Sequence, residues 1–241
     1  MHVIAFVEVS LGSGGLPACT RCRTEAESCF RESAEVAEDI RRAAEHWHHG
    51  PGPNIALTGA EAFAHPELPL IVAAARESGV RRLKLTTGGG ALEVGENAPG
   101  SIQAGVRQVE LVLLGGDASV HDALWGREGS LAAAVGGARR FTEAAKTGGV
   151  AVALTGRVPV CRHNAASAPS AVAALAAMGA VAVVVEPASG GGFSPDRAWL
   201  AAVADTGMVN RAWVAFAGWS SAVPGTSPHL HTPSLTVTAT S

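Results

Sequence analysis

Tyrosine is absent from the 241 residues, and lysine occurs only at Lys84 and Lys146. That bias toward Ala, Gly and Arg reflects genome composition, and no chemistry is read from it. A basic excess is missing as well. The 18 Lys and Arg stand against 21 Asp and Glu, a net charge of −3, which argues against a general nucleic-acid binder. The chain also lacks a clean membrane-spanning run. Ala168 to Val185 approaches the required length, but it contains Pro169 and Ser170 and is divided by Gly179. The N-terminus has no basic leader and carries Glu8, so it does not read as a secretory signal, and a cytoplasmic protein with no membrane partner is expected. Cysteine is sparse. Four in such a protein are expected to be thiols or metal ligands, and Cys19, Cys22 and Cys29 crowd into one short stretch. What remains is 47% apolar and 16% charged, the balance of a folded globule.

Short β-branched runs alternate with helical patterns from end to end, the mark of βα units around a parallel sheet. Strands are expected at 3–9, 54–57, 82–86, 109–114, 150–154 and 180–185. Each is mostly apolar, as a strand covered by helices must be. The first helix is expected to open at a capping box, Thr24 with Glu27, and to carry Phe30, Ala34, Ala37, Ile40, Ala44 and Trp47 up to Gly50-Pro51-Gly52. Later helices are expected at 67–77, 130–146, 168–178 and 195–204. Six βα units predict a partial six-fold (β/α)6 barrel, with a doubly wound sheet as the topological rival. The core is expected at 1–205, an additional strand or extended segment at 206–217, and a Ser/Thr/Pro-rich mobile tail at 218–241.

In such an architecture the loops at the carboxyl ends of the strands form the site. The first runs from Leu11 through Gly12-Ser13-Gly14-Gly15 to Cys19 and Cys22. The second is Thr58-Gly59-Ala60-Glu61-Ala62, followed by His65-Pro66. The third is Thr87-Gly88-Gly89-Gly90, and the fifth leads from Arg157 to Cys161-Arg162-His163-Asn164. Glu61 has two readings, a carboxylate for a ligand ammonium or a helix cap. The glycine stretches suit tight turns or ligand clearance better than a phosphate cradle, because neither completes Gly-x-Gly-x-x-Gly. His46, His48 and His49 end a helix and read as caps. Cys161 reads as packing. Asn164 reads as a helix cap or, with Arg162, as a ligand contact.

Taken in order, Cys19-Thr20-Arg21-Cys22, Gly59-Ala60-Glu61-Ala62-Phe63-Ala64-His65-Pro66, Thr86-Thr87-Gly88-Gly89, His121-Asp122 and Arg162-His163-Asn164 resemble the radical S-adenosylmethionine (SAM) superfamily core over residues 1 to 205. The resemblance implies a [4Fe-4S] cluster on Cys-x3-Cys-x2-Cys and SAM contacts at Gly59, Glu61, Gly88, Arg162 and Asn164. This chain departs from the pattern at three places. Gly15 stands where the first cluster cysteine belongs, Gly-Gly-Glu-Pro has become Gly59-Ala60-Glu61-Ala62, and Gly88 replaces the Asn of Thr-Asn-Gly. Each cluster iron needs its own ligand, so two thiolates are one short. Cys29 completes a candidate metal set with Cys19 and Cys22. Helical spacing from Thr24 instead predicts that Cys29 lies on a core face with Ser33, Val36 and Ile40.

The leading expectation is therefore a radical SAM-like protein, with reductive cleavage of SAM and hydrogen abstraction from a small-molecule or peptide substrate. The alternative is a degenerate homologue whose cluster is lost and which binds a ligand or partners an intact paralogue. A third reading is an ordinary α/β barrel enzyme using Glu61 and Arg162 without iron. No catalytic residue and no auxiliary cluster is indicated.

Overall fold

A computed structural model describes residues 6–13, 29–48, 52–188 and 192–217. Alternating apolar and small residues build one seven-stranded sheet: β1 Val7–Ser10, β4 Asn54–Thr58, β5 Arg82–Thr87, β6 Gln108–Val112, β7 Ala153–Val160, β8 Ala182–Pro187 and β9 Trp213–Phe216. Every neighbouring pair is parallel and the spatial order is the chain order. That order has no reversal point, so the doubly wound alternative is excluded. Between β1 and β4 a two-residue ribbon, β2 Gly12–Ser13 against β3 Cys29–Phe30, precedes α1 Ser33–Glu45. The other helices are α2 Leu68–Glu77, α3 Gly90–Glu93, α4 Asn97–Ala104, α5 Ala118–Trp125, α6 Ser130–Thr147, α7 Ala168–Ala177 and α8 Arg197–Val209.

The sheet curls. Glu8 on β1 and Arg157 on β7 are four strand steps apart, about 19 Å in a flat sheet at ~4.8 Å per step. Their side chains nevertheless meet at 3.5 Å. The fold is thus a partial parallel (β/α) barrel, with β1 and β9 as its edges. Ile55, Leu57, Leu85, Val109, Leu111, Val183 and Val185 point outward into the helix layer and are fully buried, with Ile40, Ile71, Phe141 and Leu175 facing them. The alternate residues face the barrel interior.

Several boundaries differ from the sequence reading. The capping box at Thr24 and Glu27 lies outside the described residues, and α1 begins only at Ser33. Cys29 and Phe30 are strand, held by pairing to Gly12–Ser13, and Arg31 N–H donates to Leu11 O at 2.9 Å. Chain pairing next to β1 wins over the helical periodicity there. The fifth strand starts at Ala153 and runs through Gly156 and Pro159 to Val160. Gly156 is needed inside it, because a Cβ there would lie 2.5 Å from Leu175 Cδ1 of α7. The last helix extends to Val209, across the expected 205/206 boundary, and β9 follows. Residues 218–241 lie outside the described residues. Among the described residues no helix is long and apolar enough to cross a membrane.

Candidate functional site at the carboxyl ends of the strands

Successive strands deliver their ends to one rim. After β1, Ser10 Oγ donates to Gly12 O at 2.9 Å, shaping the bend that opens the cysteine loop. Gly59 after β4 nests against this bend with φ +90°, and a Cβ on it would fall 2.4 Å from Gly12 O. Glycine is obligatory there on both counts. The turn then presents Glu61. One carboxylate oxygen accepts the Thr87 hydroxyl of β5 and, at 3.2 Å, the Phe63 N–H. The other accepts Gly88 N–H at 2.8 Å. Glu61 therefore does cap a short 3-10 turn, Ala62–Ala64, and also ties β4 to β5. Burial raises its carboxyl above the ordinary value against the pull of these three hydrogen bonds. No cation pairs with Glu61 among the described residues.

Beside it, Gly88 is overlaid by Trp125 of α5, whose ring would lie 2.3 Å from a Cβ on Gly88. This gives a physical reason for glycine at a position where the resemblance has Asn: the indole occupies the space. Trp125 in turn stacks on His121, with ring centroids 5.1 Å apart. His121 is fully buried, its Nδ1 accepts Leu114 N–H at 3.2 Å, and its Nε2 has no partner among the described residues. Burial lowers its pKa to about 4, although the neighbouring Asp122 charge opposes this. Asp122 anchors the start of α6 by accepting from Gly129 N–H, Leu131 N–H and Ser130 Oγ at 2.7 to 2.9 Å.

At the β7 end, Asn164 is buried and braces two strand ends. Its Oδ1 accepts Cys161 N–H at 2.7 Å, and its Nδ2 donates to Leu114 O and Pro159 O, both at 2.9 Å. Neither amide hydrogen is left for a ligand, and its side chain caps no helix. Arg162 is exposed at the same rim, with Nε donating to His163 Nε2 at 3.2 Å. Cys161 is buried with Leu114, Leu124 and Ala188, as expected of packing. His46 bonds Arg42 O through Nδ1 at 2.8 Å, the capping contact expected of it.

Cys29 departs from the helical-face expectation. It is an exposed free thiol on the ribbon, not a core residue, because the chain pairs with Gly12–Ser13 before any helix begins. Gly15, Cys19 and Cys22 lie outside the described residues, but the loop that holds them leaves from Ser13 and returns at Cys29. Gly12, the ribbon residue before Ser13, is the one against which Gly59 packs. The loop is therefore rooted at the Glu61 end of the barrel. Among the described residues no group of three His, Cys, Asp or Glu could hold a metal ion.

The barrel interior holds a charge network that the sequence reading missed. Glu110 of β6 accepts Lys84 Nζ of β5 at 2.8 Å and Arg157 Nε of β7 at 2.7 Å. Arg157 also donates to Glu186 of β8 at 2.9 Å and reaches Glu8 of β1. Burial would raise the Glu110 carboxyl, but the Arg157 and Lys84 cations outweigh it and hold it below the ordinary value. Burial and the like charges of Glu110 and Glu8 leave Glu186 raised despite Arg157. The signal lay in the strands: Val-Glu-Val, Leu-Lys-Leu, Val-Glu-Leu, Gly-Arg-Val and Val-Glu-Pro each set one charge within an apolar run. Period-two alternation places all five on the concave face.

No family profile matches the chain, and no curated protein matches its sequence. Solved structures do match its fold. The SuiB structure from Streptococcus suis bound to precursor peptide SuiA is similar at TM-score 0.66 and 14% identity, over 90% of this chain and 50% of that one. Native anSMEcpe with bound AdoMet and Cp18Cys peptide is similar at TM-score 0.60 and 13% identity, over 88% of this chain and 63% of that one. A domain of pyruvate-formate lyase-activating enzyme from Bacteroides vulgatus ATCC 8482 is similar at TM-score 0.52 and 14% identity, over 68% of this chain and 99% of that one. These structures share the partial parallel (β/α) barrel architecture of this chain. The chain spans about half the length of the SuiB chains it matches.

Proposed function

We propose that this protein binds SAM at the rim formed by Gly59, Glu61 and Gly88, and that Cys19, Cys22 and Cys29 hold a [4Fe-4S] cluster beside it. The observation that carries the reading is Glu61, a half-buried carboxylate held by three hydrogen bonds and lacking a cation among the described residues. A carboxylate prepared in this way is matched by a ligand ammonium, such as the amino group of SAM. Cys29 supports the cluster half of the reading, because its thiol is exposed at the root of the loop that contains the other two cysteines. The donor set thus reaches three thiolates without the cysteine missing at position 15.

The cluster, when bound and reduced, supplies the electron that cleaves SAM for hydrogen abstraction. The protein's own part is orientation and exclusion of water. Glu61 fixes the ammonium end, Gly59 and Gly88 let the turn and the Trp125 ring pack closely around it, and Trp125 with His121 walls the rim. Arg162 is the exposed cation available for a carboxylate. A polar small molecule or peptide enters the lumen lined by Glu8, Arg157 and Glu186, a reading supported by the peptide-bound SuiB and anSMEcpe structures. A second reading, a cluster-free homologue that binds the ligand or a paralogue, is favoured by Gly15 and by the Trp125 ring over Gly88. Calorimetry with SAM tests the site common to both. Binding that weakens at least about tenfold in Glu61→Gln is expected from loss of a charge-assisted contact. Equal SAM affinity in the variant would remove Glu61 from the site.

A further inference from the structure

The opposite end of the barrel carries a second feature, independent of the rim. The amino ends of β5, β6 and β7 and the last turns of α2 enclose a cleft of about 420 Å³. Arg76, Arg81, Arg82 and Arg107 line it, and neither Asp nor Glu does. Among the described residues none of the four pairs with a carboxylate. Their backbones are fixed: Arg81 N–H donates to Pro53 O, and Ala153 N–H donates to Arg107 O, both at 2.8 Å. The Arg76 stem crosses Gly105, where a Cβ would lie 3.3 Å from its Cδ.

Arginine at this end of a barrel also offsets helix C-terminal carbonyls, and Arg107 does so by donating to Ile102 O in the last turn of α4 at 2.9 Å, as it does to Val106 O just beyond that helix. That role uses one nitrogen of one guanidinium. It does not account for four exposed arginines lining one cavity without a counter-charge among the described residues. The floor between them is apolar, including Leu83 and Val152. A rim of guanidiniums selects phosphate oxygens in paired hydrogen bonds, and an apolar floor accepts a flat ring. We propose that this basal cleft is a binding site for a nucleoside diphosphate, distinct from the SAM rim.

Calorimetry on the full chain with ADP, pyrophosphate, adenosine and sulfate tests it. At 0.15 M salt ADP is expected to bind, with pyrophosphate weaker and adenosine and sulfate undetectable. Arg81→Gln/Arg82→Gln is expected to weaken ADP at least about tenfold, while Arg139→Gln, on the far surface of α6, leaves it unchanged. Excess SAM is expected not to displace ADP. In the unaltered protein ADP is expected to slow amide exchange at 79–83 and 105–108, a readout that needs no variant to fold. Equal ADP affinity in the double variant, displacement by SAM, equal binding of sulfate, or protection confined to the Glu61 rim would each overturn the proposal.

Discussion

Among the described residues Arg157 is the one cation that joins three carboxylates in the barrel, and Arg157→Met isolates that function while keeping most of the side-chain volume. In the folded protein Glu110 is 3% exposed at its side chain and Arg157 21%. Removing the guanidinium leaves Glu110 with the Lys84 cation and the Thr86 hydroxyl, and leaves Glu8 and Glu186 without any cation of the network. Breaking a buried pair by deleting one partner costs about 3–5 kcal/mol, because the remaining charge stays desolvated. Partial exposure of Arg157 places the expected loss at the lower end, about 3 kcal/mol. The loss should depend on pH. In the unaltered protein the lowered Glu110 pKa contributes stability that is present above its unfolded value and disappears as pH falls through the folded value. In the variant the Glu110 carboxyl loses the main cation that holds it down and the Glu186 carboxyl rises further, since burial is no longer countered by Arg157, and protonation relieves both. The gap between variant and parent should therefore narrow between pH 7 and pH 4.5. Urea unfolding at both pH values measures it, with the slope checked for constancy. A difference at pH 7 below about 0.5 kcal/mol, the scale of an ordinary surface substitution, would refute the reasoning. So would a gap that widens on acidification.

Three further outcomes follow from the rim. His121 is neutral when folded, with a pKa of about 4 against 6.5, so the unfolded chain binds the extra proton and stability falls by about 3 kcal/mol as pH drops from 6.5 to 4. His121→Asn, which keeps an acceptor for Leu114 N–H, should flatten that slope in urea titrations. An unchanged slope would mean that other groups set it. Gly88→Ala forces a methyl into the Trp125 ring and should cost about 1–3 kcal/mol by overpacking, most of it recovered in Gly88→Ala/Trp125→Ala. Simple additivity in that double-mutant cycle would deny the contact. Asn164→Ala orphans the buried Cys161 N–H and two carbonyl contacts and should cost about 2–3 kcal/mol in thermal or urea unfolding. A cost under about 0.5 kcal/mol would show that water replaces the amide freely.

The helix-facing half of the barrel was legible because it depends on one strong signal. Ile55 and Leu57, and Leu83 and Leu85, at alternate positions of 54–57 and 82–86 give strands whatever else surrounds them, and both strands form where expected. The fifth strand was displaced because Gly156 and Pro159 look like breakers. They are accommodated by the close approach of Leu175 and by a carbonyl, Pro159 O, that serves Asn164. Cys29 was misassigned for a related reason. Its helical spacing with Ser33, Val36 and Ile40 is real, but pairing between residues 16 positions apart in sequence takes it out of the helix, and no local pattern reports such a pairing. Glu61 was found because its turn has a motif. The Glu8, Lys84, Glu110, Arg157 and Glu186 network was not, because each charge sits alone in its own strand and only curling of the sheet brings them together. The match of Gly88 to Trp125 is likewise a contact between distant loops, invisible in either segment alone.

The proposed chemistry requires that three thiolates gather a cluster despite Gly15. Anaerobic reconstitution followed by iron and sulfide quantitation, with an absorbance spectrum, measures this directly. About four iron and four sulfide per chain are expected in the unaltered protein, lost in Cys29→Ala and retained in Cys161→Ala, because the exposed Cys29 thiol is the proposed third ligand and Cys161 is buried in packing. Iron near zero in the unaltered protein, or iron that survives Cys29→Ala, would contradict it.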